Sequence, residues 1–227
     1  MQDLRVFIGW DSREDIAYQV ARASLLEHAT IDVEITPIKL QELVDSGLYT
    51  REVDPLASTE FTYSRFLTPH LAGFDGWALF CDCDFMFFSD VKNLLQYCDD
   101  SKAICCVKHE YKPKEDTKMD GKVQTVYPRK NWSSFMFFNC AHPSTKQLTV
   151  EKVNSEGGAY LHRMQWAQDD EIGEIPVEWN WLEGWNDLPA SGKPNAVHYT
   201  SGGPWFEDYQ DVEFADEWKA YAARFGS

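Results

Sequence analysis

The chain has 227 residues, read as a single domain over 1–227 with room for a sizeable core. Its formal net charge of −16 excludes nucleic acid as a main partner and a polybasic lipid anchor, since both need clustered Lys and Arg. No apolar run approaches the roughly 18 to 20 residues of a spanning helix, and the opening MQDLRVF lacks the blocks of a signal peptide.

The Cys residues show no C-x-x-C spacing, and most sit in apolar runs. They read as buried thiols in a reducing compartment, so a cytoplasmic protein is expected.

RVFIGW, Arg5 to Trp10, reads as a first strand ending in a turn. Ser12 is placed to cap a helix from about Arg13 to His28. The alternation Ile31, Val33, Ile35 predicts a second strand ending at Pro37. Strand, helix, strand in so short a span is a βαβ unit and implies a largely parallel sheet. Ligands of such sheets bind beyond the carboxyl ends of the strands. Gly9, Trp10 and Asp11 sit at such an end, where an indole and a carboxylate suit a base and a ribose, or equally a surface turn.

Leu40 to Leu56 is polar and loop-like, and Ser58 to Leu71 reads as a helix with Arg65 in its middle, solvated or ion-paired. The stretch WALFCDCDFMFFSD, Trp77 to Asp90, follows as one strand. Side chains alternate along a strand, so Asp82 and Asp84 are expected on one face and Cys81 and Cys83 on the other. Two adjacent carboxylates in such apolar surroundings need a partner, which a hard divalent cation, Mg²⁺ or Mn²⁺, can supply, or else they form a polar strand end that meets water.

Val91 to Tyr97 reads as a short helix and Ala103 to Val107 as a buried strand. Lys108 to Lys130 is irregular and carries Lys108, Lys112, Lys114, Lys118, Lys122, Arg129 and Lys130. Such a loop suits an anionic substrate, or is simply solvated. Trp132 to Cys140 is a buried strand, and Leu161 to Ala167 is helical. Gln168-Asp169-Asp170-Glu171 is an amide and carboxylate cluster, and Trp179, Trp181 and Trp185 suit either sugar stacking or a core. His198 precedes Gly202-Gly203-Pro204, where backbone N–H groups can approach a phosphate. A C-terminal helix carries Phe214, Trp218, Tyr221 and Phe225.

Taken together, FIGWD, YSRF, FCDCDFMF, WSSFMFFN and HYTSGGPWF stand in the order seen in the GT-A glycosyltransferases. The chain most nearly resembles glycosyltransferase family 8, as a divergent branch. The resemblance implies an α/β GT-A fold, Rossmann-like, with a mixed, mostly parallel central sheet flanked by helices. It implies a metal-dependent, retaining hexosyltransferase that uses a nucleotide-sugar, usually a UDP-sugar, and a glycan, lipid-linked or other hydroxyl acceptor. Asp82, Asp84 and His198 would hold Mn²⁺ or Mg²⁺. Gly9, Trp10 and Asp11 would hold uracil and ribose, and Arg65 would lie near the diphosphate. Gln168 or Asp169 would sit under the anomeric carbon.

Three positions depart from the family pattern. Gly203 stands where the family has a diphosphate-binding Lys, a charge that Arg129 or Lys130 is expected to supply. Trp132 stands where the family has Asn, and Ala167 where it has Asp. Alternatives are a nucleotide- or sugar-binding protein of the same fold without turnover, and a sugar nucleotidyltransferase. FIGWDSRED lacks the repeated Gly that the latter needs.

Overall fold

A computed structural model of the chain describes residues 3–52, 54, 57–110 and 129–225. Lys112, Lys114, Lys118 and Lys122 of the basic stretch lie outside the described residues.

The chain opens with β1 (Leu4–Gly9), α1 (Asp15–His28) and β2 (Val33–Ile38), and β1 and β2 pair in parallel. This is the expected βαβ unit with two local corrections. Glu14, not Ser12, holds the N-cap position of α1, and its side chain makes no capping bond. The Ser12 hydroxyl is spent instead on Glu60. β2 also runs through Pro37 and does not stop there. It can do so because β2 is the sheet edge, where a missing N–H costs no ladder bond.

A short helix α2 (Leu40–Asp45) interrupts the segment read as loop. Ser58 to Leu71 is not one helix. A 3₁₀ turn, Ser64–Leu67, leads into the single turn α3 (Thr68–Leu71). Pro69 explains the break, since proline fits the first turn of a helix but not its interior.

Next come β3 (Trp77–Cys81), β4 (Phe85–Phe87), the 3₁₀ helix Val91–Tyr97, β5 (Ile104–Cys106) and β6 (Phe135–Asn139). They are followed by α4 (Val150–Ser155), α5 (Gly158–His162), β7 (Ile172–Glu174), β8 (Trp181–Leu182), β9 (Ala196–His198) and α6 (Ala215–Ala222). The larger sheet has the order β2-β1-β3-β6-β5-β7. β6 runs against both neighbours, and the other pairs are parallel. A smaller sheet has the order β4-β9-β8.

The stretch expected as one strand is therefore two, in two sheets. β3 lies inside the larger sheet and β4 at the edge of the smaller one. β4 joins two apolar clusters by alternation: Phe85 and Phe87 enter the main core, while Met86 packs with Val20, Trp181, Val197, Tyr199 and Trp218. Helices α1 and α6 pack together over this second cluster. Cys81, Cys83, Cys105, Cys106 and Cys140 are buried and unpaired, as expected of thiols that fill core space. No described helix is long and apolar enough to cross a membrane.

Candidate metal and nucleotide-sugar site

Asp82 and Asp84 lie where the chain crosses from one sheet to the other. The Asp82 N–H donates to the Ser134 carbonyl at 3.0 Å, which extends the β3–β6 ladder. The Tyr199 N–H donates to the Asp84 carbonyl at 3.0 Å, which extends the β4–β9 ladder. The carboxylates share a side because two sheets anchor their backbones on either side of Cys83. The strand alternation expected from the sequence is not the cause. β9 delivers His198 to the same place, and its ring stacks on Phe85 with centroids 4.5 Å apart.

One ligand atom from each of Asp82, Asp84 and His198 lies within 4.8 Å of the others. The Asp82 and His198 side chains are 13% and 3% exposed. Arg65, itself buried, donates to Asp82 Oδ1 at 2.6 Å and to the Ser133 carbonyl at 2.9 Å, its guanidinium packed against Phe61 and Phe80. His198 Nε2 is 3.3 Å from Asp84 Oδ2. Asp84 Oδ1 is buried with no hydrogen-bond partner among the described residues.

Burial pushes the Asp82 carboxyl up to about 7 in spite of Arg65. Burial opposes ionisation of Asp84 too, but the facing His198, with the local backbone and Arg65, holds Asp84 below its usual range. Two crowded carboxylates, one of them with an orphaned oxygen, and an imidazole nitrogen form a donor set that fits a hard divalent cation.

The cluster opens into a cavity of about 810 Å³, also lined by Glu14, Phe61, Arg65, Arg129, Lys130, Tyr199, Gly202 and Trp205. Glu14 was not singled out from the sequence. Burial, then the charges of Asp84 and Asp11, push its carboxyl up to about 7. A Glu is a poor N-cap, and its presence at the start of α1 was the available signal.

Other expected residues fall elsewhere. Gly9, Trp10 and Asp11 are not among the residues lining this cavity. A Cβ on Gly9 would stand 2.5 Å from the Phe61 ring, so Gly9 lets Phe61 close over the strand end. Asp11 is fully buried and engaged by Arg13 and by the Glu60 N–H. The Trp10 indole donates to Asp15 at 2.7 Å. Gly203 is packed against Trp205.

Gln168 and Asp169 are exposed and lie outside the cavity lining; Gln168 forms a capping box with Glu171, and Asp169 pairs with Arg129. Trp179 and Trp181 are core residues, whereas Trp185 is 42% exposed. Trp185 lines a second cavity of about 480 Å³ that shares Lys130, Asn131, Thr200 and Ser201 with the first.

No protein-family model matches the chain. Among solved structures it is similar to the glycosyltransferase GlyE of Streptococcus pneumoniae TIGR4, with a TM-score of 0.64 and 14% identity over 97% of this chain. It spans 60% of that chain. It is also similar to the galactosyltransferase LgtC, solved with donor and acceptor sugar analogs, with a TM-score of 0.62 and 11% identity over 98% of this chain and 96% of that one. The fold is thus that of the GT-A glycosyltransferases. Over 217 residues, 94% of this chain and 84% of the relative, the chain is 56% identical to Protein CDI of Arabidopsis thaliana, and it belongs to the Protein CDI family.

Proposed function

We propose that the chain is a metal-dependent glycosyltransferase, akin to glycosyltransferase family 8, that moves a hexose from a nucleotide-diphosphate sugar to an acceptor hydroxyl. The observation that carries this reading is the convergence of Asp82, Asp84 and His198, with Asp84 Oδ1 orphaned, in the lining of a cavity in a GT-A fold. Carboxylates with one imidazole favour Mn²⁺, with Mg²⁺ the other candidate. When bound, the cation offsets the negative charge of a departing diphosphate.

The chain's own cations support the same use. Arg65, Arg129 and Lys130 line the cavity, so Arg129 and Lys130 can supply the charge that Gly203 lacks. UDP-sugar as donor and retention of configuration follow from the family resemblance. The roles of Gln168 and Asp169 under the anomeric carbon, and of Gly9, Trp10 and Asp11 around uracil, have the same source. The second cavity suits the acceptor, a glycan, lipid-linked or other hydroxyl compound, because it shares a rim with the first and presents Trp185. Buried, unpaired thiols support a cytoplasmic setting.

The second reading, binding without turnover, is favoured by one observation, the absence of Lys at Gly203. A thermal-shift panel of UDP-, GDP- and ADP-sugars, each with Mn²⁺ or chelator, followed by a UDP-release assay on the donor that binds, tests both. Metal-dependent stabilisation with release of nucleotide supports the transferase. Stabilisation without release supports the binding protein, and no shift with any nucleotide overturns both.

A further inference from the structure

Asn180 ends the 3₁₀ turn Val177–Asn180 and is fully buried, and it was not singled out from the sequence. Its amide orientation is determined by its neighbours. The Nδ2 group lies 3.0 Å from Ser134 Oγ and 3.4 Å from the Asn131 carbonyl. A carbonyl only accepts, so Nδ2 must be the amide end that faces it. The Ser134 hydroxyl donates to the same Asn131 carbonyl at 2.8 Å, which leaves its oxygen free to accept from Asn180.

Asn180 Oδ1 therefore faces His198 Nδ1, at 2.8 Å, and can only accept from it. Ser134 Oγ is a more distant neighbour of the same nitrogen, at 3.5 Å.

The result is a hydrogen-bond chain with one direction. It ends at the Asn131 carbonyl, set by a residue in the left-handed region at φ 64°. It runs back through Ser134 and Asn180 to the Nδ1–H of His198. We propose that Asn180 is a positioning residue that keeps a proton of His198 on Nδ1 and so leaves Nε2 for the cation that Asp82 and Asp84 would also hold. The distances favour this arrangement: the contact to Asn180 is 2.8 Å, whereas that from Nε2 to Asp84 is 3.3 Å, long for a hydrogen bond. Outer partners of this kind orient a metal-binding His and raise its basicity. The inference rests on the cation reading above.

The first test uses the unaltered chain without metal. Long-range ¹H–¹⁵N correlation spectra of the imidazoles, at alkaline pH, are expected to show His198 protonated on Nδ1. Protonation on Nε2 overturns the proposal. The second test measures Mn²⁺ affinity by water-proton relaxation, with folding checked by near-UV circular dichroism. Asn180→Ala is expected to weaken Mn²⁺ binding about 10- to 100-fold. Asn180→Asp, which keeps an acceptor for Nδ1–H, is expected to recover most of it. A folded Asn180→Ala that binds Mn²⁺ like the parent overturns the role of Asn180 and leaves the cation reading intact. A parent chain that binds no Mn²⁺ overturns the cation reading itself.

Discussion

Arg65 and Asp82 form a nearly buried ion pair, with Nη1 and Oδ1 2.6 Å apart and side chains 6% and 13% exposed. The pair ties the 3₁₀ turn Ser64–Leu67 to the crossing between the two sheets. Asp84, two residues on, makes no such pair with an Arg or Lys among the described residues and faces His198 instead. The two carboxylates are held by different walls of one cavity, which keeps both turned inward.

Replacing Arg65 with Ala leaves Asp82 buried and unpaired. Removing one partner of a buried pair costs about 3–5 kcal/mol. Urea unfolding of Arg65→Ala near neutral pH is expected to show a loss of that size. A loss under about 1 kcal/mol, the range of an exposed pair, would contradict the structural role given to Arg65.

Glu14 gives a pH signature. Its folded-state value of about 7 lies above its ordinary 4.5, so between these pH values the folded state holds the extra proton. Stability from this group is present at low pH and is lost as pH rises through about 7. The melting temperature of the metal-free chain should fall between about pH 5 and pH 8. Glu14→Gln should flatten that fall and gain on the order of 2 kcal/mol at the alkaline end. Parallel curves for parent and variant would show that Glu14 does not face the carboxylate cluster.

Gly9→Ala places a Cβ 2.5 Å from the Phe61 ring. Overpacking of this kind costs about 1–3 kcal/mol. Phe61 also lines the cavity at Asp82, Asp84 and His198, so the variant should bind nucleotide more weakly as well as melt earlier. A neutral effect on stability would show that the ring has room to move.

Gly203→Lys restores the residue found in the family pattern. A Cβ at this position would come within 2.0 Å of the Trp205 ring. The variant is expected to lose stability by about 1–3 kcal/mol and to gain no affinity for UDP. Tighter binding without loss of stability would show that the closing segment adopts the family arrangement once the Lys is present.

The grouping of Asp82, Asp84 and His198 was expected from the sequence, the carboxylates from their apolar run and His198 from the resemblance of HYTSGGPWF to the family's closing segment. The cause of their convergence was not. Alternation along one strand predicted a shared face, but the chain changes sheets at Asp82–Asp84, and pairing with Ser134 and Tyr199 sets the geometry. That pairing is long-range, and period-two reasoning does not see it.

Gly9 and Asp11 were recognisable as strand-end residues, yet local contacts with Phe61 and Arg13 occupy them. Asn180 was hidden among tryptophans in EWNWLEGW, where the apolar pattern dominates. Glu14 was hidden because Ser12 offered a better cap on sequence grounds. The βαβ opening, the buried strands and the C-terminal helix were readable, since each depends on local periodicity, but α6 spans only Ala215–Ala222, which leaves Phe214 at its N-cap and Phe225 beyond it and exposed.

The most direct test of the account is calorimetric titration of UDP into the chain with Mn²⁺, repeated with chelator and repeated with Asp84→Asn. The account predicts binding that requires Mn²⁺ and is abolished in a folded Asp84→Asn. Binding of equal strength in chelator, or in the variant with Mn²⁺, would contradict it.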